Sequence, residues 1–405
     1  MTGTTAHRLP RGFVGAVAAA GIKASAPPDR QDMALIVCPG GATAAAMFTR
    51  NLVCAAPLAI SKRHLAMSRG HASALLVNSG CANAATGAEG ESRAIECADA
   101  VARALDVAIE SVLVNSTGVI GVQLPVERML PHVPKMVGRL SENALPALAR
   151  AIMTTDTRPK SAMVELEHEG RHCVVAGIAK GAGMIHPDMS LAGGVPQATM
   201  ISVLMTDAEL EPAALARILK GAVEGSFHRI SIDGDTSTND AVFALASGVA
   251  GAFPERALAA AFRAVARELA LMVVRDGEGF ERGIEVVVTG AASEADALAV
   301  AKTIATSLLV RCAVTGGDPN WGRILAAAGR AGVPLRIEEL TLTVGGVALF
   351  ADGQPADTPL ADRERVFREP LVAIHLDLGR GTAREEFFSC GLTTEYVTLN
   401  ADYTT

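Results

Sequence analysis

LLVNSGCANAATGAEGESRAIECADAVARALDVAIESVLVNSTGVIG, residues 75–121, is the stretch from which the fold class is read. Leu75-Leu76-Val77 and Val112-Leu113-Val114 are short, unbroken apolar runs. Such runs mark strands covered on both faces, because a strand with one wet face alternates apolar and polar residues instead. Between them, residues 91–107 place Ile95, Ala98, Val101, Ala102 and Leu105 on one stripe at helical spacing. Each apolar run closes on Asn-Ser and a glycine, as Asn78-Ser79-Gly80 and as Asn115-Ser116-Thr117-Gly118. The echo is too short to count as a repeat, but polar groups at strand ends are where function is sought.

The same pattern extends outward. Val203-Leu204-Met205 and Val286-Val287-Val288 read as further buried strands. A second helix spans 257–274, with Leu258, Phe262, Val265, Leu269 and Met272 on its stripe, and a third starts at Ser293, three residues before Asp296 in a capping-box arrangement. Strands mixed with helices give the α/β (α+β) class. A weak boundary near 281–284 divides a main α/β catalytic domain, 1–283, from a smaller C-terminal α/β domain, 284–405. No Pro/Ser-rich linker separates them.

Composition narrows the function. With 405 residues, 50% of them hydrophobic, the chain can build a sizeable core, and at 3% aromatic it must do so from aliphatic side chains. A net charge of -7 without clustered Lys and Arg gives no footprint for nucleic acid. The seven cysteines, at 38, 54, 81, 97, 173, 312 and 390, are odd in number and form no CxxC pair, so neither a disulfide framework nor a zinc site is expected. Arg8, Arg11 and the apolar run from Phe13 to Ile22 imitate a signal peptide, but two glycines interrupt the run and Lys23 ends it. No stretch approaches the ~20 uncharged apolar residues of a membrane helix. The expectation is a soluble, cytoplasmic protein with no membrane partner.

Four places carry candidate chemistry. Ala198-Thr199-Met200 leads from a Gly/Pro loop into an apolar strand. Threonine is an ordinary strand starter, and its hydroxyl is a weak nucleophile unless a base such as an N-terminal amine activates it. Ser116 to Gly121 reads as a loop after the 112–114 strand, in which the Thr117 hydroxyl and a backbone N–H face a developing oxyanion. Lys180-Gly181-Ala182-Gly183-Met184 sets a lysine before flexible glycines, apt for a carboxylate but lacking the rest of a phosphate loop; the bland alternative is a surface lysine beside a turn. Asp233 to Asp240 resembles a cation loop, yet its spacing and missing glutamate do not fit an EF-hand.

Taken in order, NSGCANAATG (78–87), NSTGVIG (115–121), MTTDTRPK (153–160), GIAKGAGMIHPDM (177–189), ATM (198–200), SIDGDTSTND (231–240), DGEG (276–279), GGDPNWGRI (316–324) and TEYVTLNADYTT (394–405) resemble the ornithine acetyltransferase family. The resemblance runs from about residue 11 to the last. It implies a layered α/β sandwich and a precursor that cuts its own Ala198–Thr199 bond into an α chain, 1–198, and a β chain, 199–405. Thr199 would then be the nucleophile of a ping-pong transfer in the arginine pathway: N-acetylornithine acetylates it, ornithine leaves and glutamate takes the acetyl group. Thr117 and Gly118 would form the oxyanion hole, and Thr155, Lys180, Thr199, Glu278, Asn400 and Thr405 would contact substrate. Thr154 is the less favoured neighbour of Thr155. The resemblance implies no resident cofactor or metal, acetyl-CoA being the candidate second acetyl donor, and an α2β2 assembly of the two fragments.

The chain departs from the family pattern beside the scissile bond. Ser190-Leu191-Ala192-Gly193-Gly194-Val195-Pro196-Gln197 stands between Met189 and Ala198, where the family runs straight on. Self-cleavage needs a strained, well-placed peptide, so a longer loop slows or abolishes it. Cys390-Gly391 replaces the family's Cys-Asp. A self-processing amidase or aminopeptidase of the same architecture and an unprocessed, non-catalytic relative are the alternative readings.

Overall fold

A computed structural model describes residues 8–190 and 200–402. They divide into two compact units: one runs to His228 and resumes over Asp235–Val273, and the other comprises Arg229–Gly234 and the residues from Val274 on. The boundary expected at 283/284 lies earlier in the chain, and the second unit takes in the 274–283 segment as well.

In the first unit, nine strands among the described residues join in one sheet: β1 (Val14–Ala18), β2 (Met33–Thr49), β3 (His71–Cys81), β4 (Val112–Val119), β5 (Lys160–His168), β6 (Arg171–Lys180), β7 (Met189–Ser190), β8 (Ile201–Glu209) and β9 (Ala241–Ala252). The order is β4-β3-β2-β9-β8-β6-β5, with β1 and β7 also paired to β2. β3 with β4 and β8 with β9 are parallel, and the other pairs are antiparallel.

β2 decides the shape of this unit. Its first half pairs with β3 (Ala34↔Val77) and its second half with β9 (Phe48↔Ala241), and the register slips between Val37 and Ala42. Within the slip lies Gly41 at φ 77, which an L side chain would resist. The strand bends there while keeping its direction along β3, and one apolar cluster holds Ile36, Leu75, Val77 and Leu113 from the first half beside Ala46, Phe48, Val203, Met205 and Phe243 from the second. The sheet is therefore folded onto itself as two facing layers. Leu76, Val112 and Val114, which alternate with that inner set, pack outward onto Ala94, Cys97, Ala98 and Val101 of helix Gly87–Leu105. Both faces of β3 and β4 are covered, which is why their sequences read as unbroken apolar runs.

In the second unit, six strands among the described residues run β13-β12-β11-β14-β10-β15: β10 (Gly283–Ala291), β11 (Thr341–Val344), β12 (Val347–Ala351), β13 (Gln354–Pro355), β14 (Leu371–Asp377) and β15 (Ala383–Cys390). Ile284, Val286 and Val288 of β10 pack on Ala297, Val300, Ala301 and Ile304 of helix Glu294–Ala305. That helix starts as its sequence indicates, with the Asp296 N–H donating to Ser293 Oγ at 3.1 Å. Among the described residues no single helix is long and apolar enough to cross a membrane.

Candidate functional site

The polar ends of β3 and β4 lie against the other layer. β4 does not stop at Val114, where its apolar run ends; it continues to Val119, so Ser116, Thr117 and Gly118 lie in the ladder opposite Asn78, Ser79 and Gly80 rather than in a loop. Polar residues can extend a buried strand only where their groups find partners. Ser116 Oγ donates to Asn78 Oδ1 at 2.6 Å, the Ser116 N–H to Asn115 Oδ1 at 2.8 Å, and Asn115 Nδ2 to the Asn239 carbonyl at 3.3 Å. In return, Asn239 Nδ2 donates to the carbonyls of Ala82 at 2.6 Å and Ser116 at 2.8 Å, clasping the two layers.

The two strand-end glycines face each other in register, Gly80↔Gly118. Gly118 has φ 132, and a Cβ there would stand 2.6 Å from the Cys81 nitrogen and closer still to Gly80. Only glycine fits, and the Thr117–Gly118 backbone is set by this contact.

From the opposite layer comes Lys180, the last residue of β6. It is buried, not the surface lysine of the bland alternative, and its Nζ donates to Thr117 Oγ1 at 3.2 Å. Behind it lies Asp156, which was not singled out from sequence. Its Oδ1 accepts from Lys160 Nζ at 2.6 Å and from the Gly181 N–H at 2.6 Å. Its Oδ2 accepts from the Thr154 N–H at 2.9 Å and lies 4.0 Å from Lys180 Nζ. Burial alone would raise the carboxyl; the Lys180 and Lys160 charges and the Gly181 N–H outweigh it and hold Asp156 at about 2. Thr155 is half-buried in the turn so anchored.

The remaining candidates fall elsewhere. Glu278 and Asn400 belong to the second unit and meet there, Asn400 Nδ2 donating to Glu278 Oε2 at 2.9 Å. Asn400 sits in helix Thr394–Asp402, so this part of the tail is folded. Ala198, Thr199 and Thr405 lie outside the described residues, as does nearly all of the 190–197 insertion. Met200, the covalent neighbour of Thr199, is buried and its carbonyl accepts from the Ala241 N–H at 2.9 Å.

Asp156, Lys160 and Asn239 are the site residues that sequence reasoning passed over. A buried carboxylate four residues before a buried lysine leaves no periodic trace in a Pro-containing turn. Asn239 was visible only as part of a polar run that resembled a cation loop.

Comparison with known proteins supplies the context. The model of the ArgJ family matches residues 15–405. The arginine biosynthesis bifunctional protein ArgJ of Nitratidesulfovibrio vulgaris is 43% identical over 402 residues, covering 97% of this chain and 98% of that protein. The protein of the same name from Synechococcus sp. is 44% identical over 412 residues, covering 98% and 96%. Among solved structures, the ornithine acetyltransferase of Mycobacterium tuberculosis complexed with ornithine is 37% identical, covers 46% of this chain and 96% of that chain, and has a TM-score of 0.41.

Proposed function

The chain belongs to the ArgJ family, and from that premise we propose that it transfers acetyl from N2-acetylornithine to glutamate by way of an acetyl-threonine at Thr199. The observation that carries the proposal is the buried Lys180 ammonium 3.2 Å from Thr117 Oγ1, with Gly118 locked beside it. A cation hydrogen-bonded to a hydroxyl suits a substrate carboxylate and a developing oxyanion.

Thr199 first attacks the Ala198 carbonyl, the acyl group moves from nitrogen to oxygen, and water releases Thr199 as a new N-terminus. Its own α-amine, with an ordinary pKa near ~8, then serves as the local base. Thr199 Oγ attacks the acetyl carbonyl of N-acetylornithine, Thr117 and the Gly118 backbone stabilise the tetrahedral oxyanion, and ornithine leaves with its amine protonated. Glutamate attacks the acetyl ester in the second half and departs as N-acetylglutamate. Lys180 receives the α-carboxylate; Thr155, Glu278, Asn400 and Thr405 are carried over as substrate contacts from the family resemblance. We carry over acetyl-CoA as a candidate second donor, and an α2β2 assembly in the cytoplasm, from the family resemblance.

Intact-mass analysis tests the core of this reading. Wild type is expected as two fragments divided at Ala198–Thr199, the β fragment gaining one acetyl mass with N-acetylornithine; Thr199→Ala is expected intact and unacetylated. A single intact wild-type band would sink the processing step and favour the non-catalytic alternative, and release of free acetate without an acceptor would favour the amidase.

A further inference from the structure

Three of the positions assigned to substrate or oxyanion have one thing in common: each is tied, directly or through one neighbour, to the same buried carboxylate. Asp156 Oδ2 fixes the Thr154 N–H, and with it the turn that presents Thr155. Asp156 Oδ1 fixes the Gly181 N–H at the end of β6, where Lys180 leaves the sheet. The same carboxylate stands 4.0 Å behind the Lys180 ammonium, which in front reaches Thr117 Oγ1.

The unequal distances to the two lysines matter. Lys160 starts β5 opposite Ala179 and closes on Asp156 at 2.6 Å, a full charge-assisted hydrogen bond. Lys180 is held at 4.0 Å, close enough for attraction and too far for a hydrogen bond. Were Lys160 absent, the carboxylate's nearest cation would be Lys180, and contact between them would draw the ammonium off Thr117. A carboxylate already engaged by a second lysine can orient Lys180 without capturing it.

We infer that Asp156, held by Lys160, is a positioning residue for the acetyl-transfer site, setting Lys180 against Thr117 so that the site prefers acyl donors bearing an α-carboxylate. The inference rests on the proposed function, and its chemistry adds no covalent step. It acts through Lys180 and not by touching substrate.

Removing Asp156 alone leaves two buried ammonium groups facing each other, which invites unfolding. The informative variant is therefore the double one, Asp156→Asn with Lys160→Met, which deletes one negative and one positive charge together and leaves an acceptor for the Gly181 N–H. The probes are N2-acetylornithine and its decarboxylated counterpart, N-acetylputrescine, with acetylation of the β fragment followed by intact mass well below each protein's own melting temperature. Wild type is expected to prefer the carboxylate-bearing donor strongly. The double variant is expected to be folded and to acetylate from N2-acetylornithine ~100-fold more slowly, the scale set by misplacing a reacting group by about 1 Å, with its preference between the two donors reduced at least tenfold in the same comparison.

A purely structural role for the pair predicts instead that a folded double variant keeps the wild-type preference, and that result overturns the inference. So does a double variant that cannot fold, which would assign Asp156 to the scaffold. Failure of the functional reading is a separate outcome, since it appears in wild type as no acetyl mass from either donor.

Discussion

A carboxylate held at about 2 in the folded chain makes stability depend on acid in a defined direction. In the unfolded chain Asp156 takes up its proton near 3.8, the ordinary value for the group, before the folded form does, so protonation favours unfolding. The contribution is fully present above about pH 5 and disappears as pH falls through about 2. A shift of this size corresponds to about 2 kcal/mol, and the group is buried enough for solvent to screen little of it. Urea unfolding followed from pH 5 to pH 2 checks this. Wild type is expected to lose about 2 kcal/mol more than the Asp156→Asn/Lys160→Met variant over that interval; equal losses would show that the carboxylate is not held down in the folded state. The residue thus has two separable signatures, one in acid stability and one in donor preference.

Among the elements, apolar periodicity and capping were legible because they are local. Helix Glu255–Val274 buries Leu258, Phe262, Val265 and Leu269 as its stripe indicates, although Val273 rather than Met272 closes it. Helix Gly87–Leu105 begins four residues before the 91–107 stretch, and at Gly90 a side chain would collide with Asn83 and Thr86. What sequence could not show is the polar extension of β4. Ser116 looks like the start of a loop until Asn239, more than a hundred residues away, bonds its carbonyl. That dependence is testable. Asn239→Ala removes the donors to Ala82 and Ser116 and leaves buried carbonyls unpaired, for an expected loss of about 2–4 kcal/mol. Hydrogen exchange should speed up first at the ends of β3 and β4, and acetyl transfer should fall because Thr117 follows Ser116 directly. Unchanged exchange at those strand ends would mean the clasp does not hold the layers.

For the molecule as a whole, the two units form around separate apolar cores, and the cysteines are placed to report on each. None of the seven is bonded to another; Cys54 and Cys312 are exposed, and Cys38, Cys81, Cys97, Cys173 and Cys390 are buried. Burial pushes Cys97 up to about 12, and with help from the nearby Asp207 charge it does the same to Cys173, while Cys38 rises to about 11. At pH 8 such thiols are almost wholly protonated and cannot attack a disulfide reagent until the surrounding structure opens. Two thiols should therefore react promptly in the native protein, Cys312 ahead of Cys54, whose thiol burial also raises. The other five wait on opening, Cys390 on the second unit and the remaining four on the first. The second unit is the smaller, and smaller units bury a smaller share of the surface their unfolded chains expose, so in rising urea Cys390 is expected to become reactive before Cys97. Mass-resolved labelling across a urea series separates the cases: staggered midpoints mean that the C-terminal unit opens independently, whereas coincidence of all five midpoints would mean one cooperative structure and would refute independent opening.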